Sequence, residues 1–339
     1  MKAWELSDAF GLDNLTLGER ADPEPGPHQV AVALAAMSLN FRDLVVVRGN
    51  YGRNITTPLI PLSDGAGTVT AIGAGVSRVA VGDRVMPTFF QGWLGGAPRG
   101  DRMAPTTLGG PLDGTLSESI VIGEEGLVKT PDYLSDEEAA CLPCAAVTAW
   151  SALISQGELG PGDSVLIQGT GGVALFAVQF AKMVGAEVMV TSSSDEKLET
   201  ARRLGADHTH NYSTDPDWDK AVKAMTGGEG CDHVLELGGS DTLAQSLRAV
   251  RTGGHISLIG VLSGAMADLN LPLVVMRNVR LQGVTVGSRE TFKSMVRAMA
   301  LHNIHPVVDT VVPFAEAPEA FKQISAGGHV GKVCIRMDV

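Results

Sequence analysis

The plainest chemistry in the chain lies in Val165-Leu166-Ile167-Gln168-Gly169-Thr170-Gly171-Gly172-Val173-Ala174, an apolar run followed by glycines at the spacing G-x-G-x-x-A. Where such a run is a buried strand and the glycines open a helix, the turn seats the pyrophosphate of a dinucleotide. Gly169 permits the tight turn, Gly171 lets the backbone approach the phosphates, and the small Ala174 lets helix and strand pack closely. Thr170, Gly172 and Val173 then offer amide donors at the helix N-terminus, where the dipole favours an anion. Gly73-Ala74-Gly75 has a similar G-x-G, but Val76 to Gly82 behind it does not read as a helix, so a turn between strands is expected there.

An NAD site usually places an Asp or Glu against the adenosine ribose about twenty residues beyond the fingerprint. Here the second strand ends Val190-Thr191-Ser192-Ser193-Ser194, with no acid to repel a 2′-phosphate. Ser192, Ser193, Ser194 and Lys197 offer hydroxyl donors and one positive charge instead, which favours NADPH over NADH. Gly260-Val261 and Val284 to Val286, at the ends of later strands, are candidate backbone contacts to the nicotinamide.

These residues need elements to carry them. Apolar runs at Val165–Ile167, Val188–Thr191, Val234–Leu237, Ile256–Ile259 and Leu281–Val286 alternate with helical patterns, the signature of a doubly wound parallel sheet. Ser193 and Glu196 stand at capping-box spacing before a helix through Leu204. From Met1 to about Ile122, short β-rich runs alternate with Gly and Pro turns, as in a folded barrel or sandwich. Phe89 to Gly114 is a long Gly/Pro-rich stretch expected to cover a binding cleft, with Phe89, Phe90 and Trp93 either lining a pocket or packing the loop itself. A helix from Glu290 to Leu301 and a last β-like run suggest that the tail rejoins the first domain.

The 339 residues suit two domains sharing a cleft. With 26 basic against 38 acidic residues the net charge is −12, and no basic cluster exceeds Arg202-Arg203, which excludes a phosphate-backbone binder. No run of about 18 apolar residues suggests a membrane span, and the N-terminus lacks a signal-peptide core, so a cytoplasmic protein is expected. Cys141, Cys144, Cys231 and Cys334 do not make a disulfide framework, and Cys141-x-x-Cys144 reads as packing in a helical stretch. His208-x-His210, and His302 with His305, likewise read as surface or helix-end residues rather than metal ligands.

Taken together, Ser38-Leu39-Asn40-Phe41-Arg42-Asp43, Asp64-Gly65-Ala66-Gly67, Gly82-Asp83-Arg84-Val85, the fingerprint and Gly331-Lys332-Val333 resemble the medium-chain dehydrogenase/reductase (MDR) superfamily, in its quinone oxidoreductase-like branch. The resemblance implies an α/β fold with a GroES-like, β-rich catalytic domain at 1–145, a Rossmann domain at 146–286 and a return to the catalytic domain at 287–339. It also implies that Lys197 and Tyr212 contact the 2′-phosphate, that Thr148 and Lys332 lie on the cofactor's side of the site, and that homodimers form through the last Rossmann strand. The zinc alcohol dehydrogenases of the superfamily ligate their metal through Cys, His and Cys; the matching positions here are Asn40, Ser63 and Cys144, so no zinc is expected.

Without a metal, ionising an alcohol from a pKa of about 16 toward 7 lacks its source, since that shift is worth roughly 12 kcal/mol at about 1.36 kcal/mol per unit. One hydrogen-bond donor at an oxyanion is worth about 2.7–4 kcal/mol. The expected reaction is therefore hydride transfer from NADPH to a quinone or α,β-unsaturated carbonyl, whose charge delocalises. Asn40 is the candidate donor to the substrate oxygen and Tyr51 the candidate proton donor, with Asp43 and Asp64 orienting their neighbours. An alcohol or aldehyde dehydrogenase, and a crystallin-like cofactor binder with little catalysis, are the alternatives.

Overall fold

The computed structural model describes residues 1–52 and 54–338. The chain divides into two units, one of Met1–Val147 with the return from Val286, the other Thr148–Thr285. Among the described residues no helix is long and apolar enough to cross a membrane.

The first unit is built on the strand Gln29–Ser38, which pairs antiparallel along its length with Asp64–Ile72. On its other side the first half pairs with Ser119–Gly123 and the second half with the C-terminal strand Lys332–Arg336. Ser38 thus has Asp64 on one side and Cys334 on the other. Gly67 is forced to be glycine by this pairing, since an added Cβ would lie 2.0 Å from the Ala33 carbonyl oxygen. The core of the unit joins both ends of the sequence: Leu6, Val32 and Met37 share one cluster with Phe321, Val333 and Ile335. Gly73-Ala74-Gly75 forms a turn on the way from Asp64–Ile72 to its antiparallel neighbour Arg84–Pro87, with no helix behind it.

The long stretch after Phe89 folds onto itself, with Gln91 N–H donating to Thr106 O and Leu108 N–H to Phe89 O. Phe89, Phe90 and Trp93 are buried, and Phe89 and Phe90 meet edge to face at 4.6 Å. The three rings are therefore packing beneath this loop. Burial of three aromatic rings is what holds a segment of so little regular structure.

The second unit is a six-stranded parallel sheet of Ser164–Gln168, Glu187–Ser192, His208–Asn211, Cys231–Glu236, Val250–Leu258 and Arg280–Gly283. Taken in chain order, its strands stand third, second, first, fourth, fifth, sixth, the order of a dinucleotide-binding sheet that switches direction beside its first strand. The first strand is wholly buried, which explains its unbroken apolar run. Two expectations need correction. The helix Asp195–Arg203 is capped by Ser194, not Ser193, without a side-chain hydrogen bond; Asp195 and Glu196 in its first turn complement the helix dipole instead. The sixth strand ends at Gly283, because the chain turns away before Val286, whose φ is 51°.

Candidate active site

In the second unit, Gly169 follows the first strand with φ 78°, a left-handed conformation that costs glycine nothing. Gly171 is the N-cap of the helix Gly172–Val184, and Ala174 is buried on the sheet side. An added Cβ at Gly169 or Gly171 would meet nothing within 4 Å, so this turn is open to a ligand. The helix ends at Gly185, whose left-handed φ of 86° caps it.

Beside the turn is a cavity of about 280 Å³ lined by Gln168, Gly169, Thr191, Tyr212, Trp218, Leu237, Gly238 and Leu262 among others. Thr170 and Ser192 are buried with their hydroxyls 3.5 Å apart, Ser193 is exposed, and Ser194 and Lys197 are half-buried. Tyr212, 42% exposed, follows the third strand and faces the same cavity. Gly260 lies against the next turn, where an added Cβ would strike Leu237 O at 1.9 Å, while Val261 is exposed. Val284 is buried and its N–H donates to Leu258 O; Thr148 is buried as well.

Two residues of this floor escape sequence reasoning. Glu236 ends the fourth strand, fully buried, and accepts from Gln168 Nε2, the Gly238 and Gly239 amides and the Thr242 and Ser246 hydroxyls. Gln168, at the end of the first strand, accepts in turn from the Leu237 and Gly238 amides. A buried carboxylate needs such donors, and these pin the Leu237 to Gly239 turn that lines the cavity. The only signal in the sequence is a polar residue closing each of two apolar runs, which in a parallel sheet become neighbours.

In the first unit, the strand Gln29–Ser38 ends where the helix Phe41–Val47 begins, and Asn40 is its N-cap. Asp43 accepts the Asn40 backbone N–H at 2.8 Å, and its other oxygen is 3.0 Å from the Arg42 guanidinium. The side chain of Asn40 spans two buried charges. Its Nδ2 donates to Asp64 Oδ2 at 2.9 Å, and its Oδ1 accepts from Lys332 Nζ at 2.6 Å. An ammonium only donates and an ionised carboxylate only accepts, so these partners determine which end of the amide is which. Lys332, expected among the cofactor contacts, is placed here by the pairing of its strand, and also donates to Leu39 O.

Asp64 is fully buried. Its Oδ1 accepts from the Ser63 hydroxyl at 2.8 Å, and its Oδ2 also takes the Cys144 backbone N–H at 3.2 Å. Burial raises its pKa to about 6, with the nearby Lys332 charge and the Asn40 hydrogen bond pulling the other way. Burial likewise raises Asp43 against the Arg42 charge, and raises the Cys144 thiol with the Asp64 charge adding to it. Cys141, three residues earlier, is buried with its sulfur 3.5 Å from that of Cys334. Among the described residues no group of three or more His, Cys, Asp or Glu could hold a metal ion.

Tyr51 is exposed and is joined to this cluster by Arg42, whose guanidinium lies 4.5 Å from the Tyr51 ring and 5.2 Å from that of Phe89. The first unit thus brings Asn40, Asp43, Asp64, Lys332 and Cys144 into one network with Tyr51 at its margin. The second gathers Gly169, Thr191 and Tyr212 around one cavity, while Ser192, which ends the second strand, and Ser193 and Ser194 after it are not among its lining residues.

Known proteins share this architecture. Residues 26–132 match the family model described as an alcohol dehydrogenase GroES-like domain, and residues 172–301 that described as a zinc-binding dehydrogenase. The chain is 43% identical over 335 residues to a zinc-type alcohol dehydrogenase-like protein of Schizosaccharomyces pombe, a match covering 97% of this chain and 96% of that one. A solved structure from Sinorhizobium meliloti, provisionally named an alcohol dehydrogenase, superposes with a TM-score of 0.93 at 43% identity over 99% of this chain and 98% of its own. A quinone oxidoreductase of Pseudomonas syringae superposes at 0.84 with 29% identity, and a mycobacterial protein complexed with NADPH at 0.82 with 26%, each over 99% of both chains.

Proposed function

Because this chain belongs to the medium-chain dehydrogenase/reductase superfamily and is an NAD(P)H-dependent oxidoreductase, we propose that it is a zinc-independent reductase that uses NADPH to reduce quinones or α,β-unsaturated carbonyls. The observation that carries this reading is the donor set around Asn40. At the three positions where zinc dehydrogenases hold their metal, this chain has an amide, a hydroxyl and one thiol. Asp64, the neighbouring carboxylate, already accepts from Asn40, Ser63 and the Cys144 amide. These residues do not fit a catalytic zinc, which needs three protein ligands and an open position.

The open glycine turn and the adjoining cavity do fit a dinucleotide. When bound, NADPH supplies a hydride. Ser192, Ser194, Lys197 and Tyr212 hold its 2′-phosphate, and the absence of an acid after the second strand leaves room for that charge. Asn40 donates the amide hydrogen that Asp64 does not take to the acceptor's carbonyl oxygen. As the new C–H bond forms at the β-carbon, the electron pair of the double bond moves to that oxygen, which Asn40 steadies. Tyr51 then returns a proton to the α-carbon or to the oxygen and recovers one from solvent. Asp43 and Asp64 hold Asn40 and transfer no proton.

Alcohol or aldehyde oxidation is the second reading, favoured by the names of two relatives 43% identical to this chain. The assay is NADPH and NADH oxidation against a panel of quinones, enals and enones, with alcohol oxidation and a zinc determination alongside. The expected result is turnover of the activated acceptors with NADPH preferred; stoichiometric zinc with turnover of a saturated alcohol overturns it. Asn40→Ala is expected to lower kcat by about a hundredfold while NADPH binding stays unchanged.

The functional unit we infer is a homodimer joined through the exposed edge of Arg280–Gly283. It is the last strand of its sheet and stands beside the exposed Leu271, Val275 and Met276.

A further inference from the structure

We propose that Lys332 is the positioning residue of the acceptor site: its buried ammonium offsets the charge of Asp64, so that the second N–H of the Asn40 amide meets a developing oxyanion without a bare carboxylate behind it. The inference deepens the reduction reading above and rests on it.

The argument is one of charge. Four ionisable side chains are buried or nearly so around Asn40: Arg42 with Asp43 at 3.0 Å, and Lys332 with Asp64 at 3.9 Å. The exposures of Lys332 and Asp64 are 3% and 0%. Each carboxylate therefore has its own cation, and the cluster is neutral. The Lys332–Asp64 separation is too long for a hydrogen bond, and the space between them is bridged by Asn40, whose amide accepts from one and donates to the other. Asp64 takes one of the two amide hydrogens and leaves the second for a ligand. If Lys332 lost its charge, Asp64 would either stand uncompensated one hydrogen bond away from the atom that must stabilise negative charge or take up a proton and compete as a donor, and in both cases Asn40 Oδ1 would lose its donor. A like charge at that range, poorly screened by water, opposes any step that builds charge on a substrate oxygen. Enone reduction and alcohol oxidation both build it, so the requirement holds for either reaction.

The test compares Lys332→Met, Lys332→Arg and the double variant Lys332→Met/Asp64→Asn with the wild type. Each is first shown to fold by circular dichroism and thermal melting. Lys332→Met is expected to lower kcat roughly tenfold to a hundredfold, at saturating NADPH and with NADPH Kd unchanged by fluorescence titration. The double variant, neutral again, is expected to recover most of that loss, and Lys332→Arg part of it. Recovery of thermal stability in the double variant without recovery of kcat would mark the role as merely structural and overturn the proposal. A weaker NADPH Kd with kcat intact would make Lys332 a cofactor contact and overturn the proposal, and so would a double variant no faster than Lys332→Met. The ratios are read with whichever acceptor or alcohol the wild type turns over. Failure of the reduction reading therefore appears as a wild-type result, and failure of the Lys332 proposal as a variant result.

Discussion

At the scale of single residues, Asp64 shows how the site is held in balance. Buried acids prefer the neutral form, and its pKa stands at about 6 against 3.8 in an exposed acid, although Lys332 and Asn40 favour its charge. Between those two values the folded chain keeps a proton that the unfolded chain has released. Stability from this group is therefore greatest at low pH and is lost as pH rises through the window. Denaturant melts of wild type and Asp64→Asn are expected to diverge as pH is raised from about 4 to 6, the wild type losing up to about 3 kcal/mol relative to the variant. Parallel curves would mean that Asp64 ionises as an exposed acid does. At the cofactor site, Lys197→Ala is expected to raise the KM for NADPH about tenfold and leave that for NADH unchanged. An equal effect on both would remove Lys197 from recognition of the 2′-phosphate.

The elements that carry these residues have demands of their own. His233 and His255 are paired in register on the fourth and fifth strands of the parallel sheet, their rings stacked 5.5 Å apart and nearly buried. Burial lowers both pKa values, His255 to about 4, where the neighbouring His233 also opposes its charge. The sign is opposite to that of Asp64. Between 6.5 and about 4 the unfolded chain takes up a proton at His255 that the folded sheet refuses, so stability falls as pH falls. His255→Gln is expected to flatten the acid side of the stability curve, and an unchanged slope would show that the strand pair opens to water. Because the two contributions oppose each other over one pH range, the wild-type curve alone conceals both.

For the whole molecule, the sheet edge is the feature with a consequence. Among the described residues Arg280–Gly283 has a strand partner on one side alone, beside Leu271, Val275 and Met276 at 62, 69 and 79% exposure. Val275→Lys/Met276→Lys is expected to halve the mass measured by light scattering, from about twice 35.4 kDa to that of one chain. An unchanged mass would place the interface elsewhere or show a monomer throughout. The net charge of −12 suits a protein that binds a small acceptor rather than a polyanion.

The glycine turn, its strand and its helix were legible because all their determinants are local: an apolar run, a residue free to adopt positive φ and a small residue for packing, within ten positions. Asn40 and Asp43 stand three apart at a helix start, a spacing that brings the Asp43 carboxylate to the Asn40 N–H. The boundary at Ser194 and the early end of the sixth strand were not legible, because strand length is decided by the neighbour it pairs with. Nor was the place of Lys332, which meets Asn40 across 292 positions only because antiparallel pairing sets the last strand beside Gln29–Ser38. Glu236 and Gln168 are joined in the same way, by two parallel strands that end level. Short-range sequence thus determined the strand, glycine turn and helix of the second unit, and the spacing that sets Asn40 at a helix start. Which charges stand behind that residue was decided by the tertiary fold, because burial and pairing are properties of the sheet and not of any segment within it.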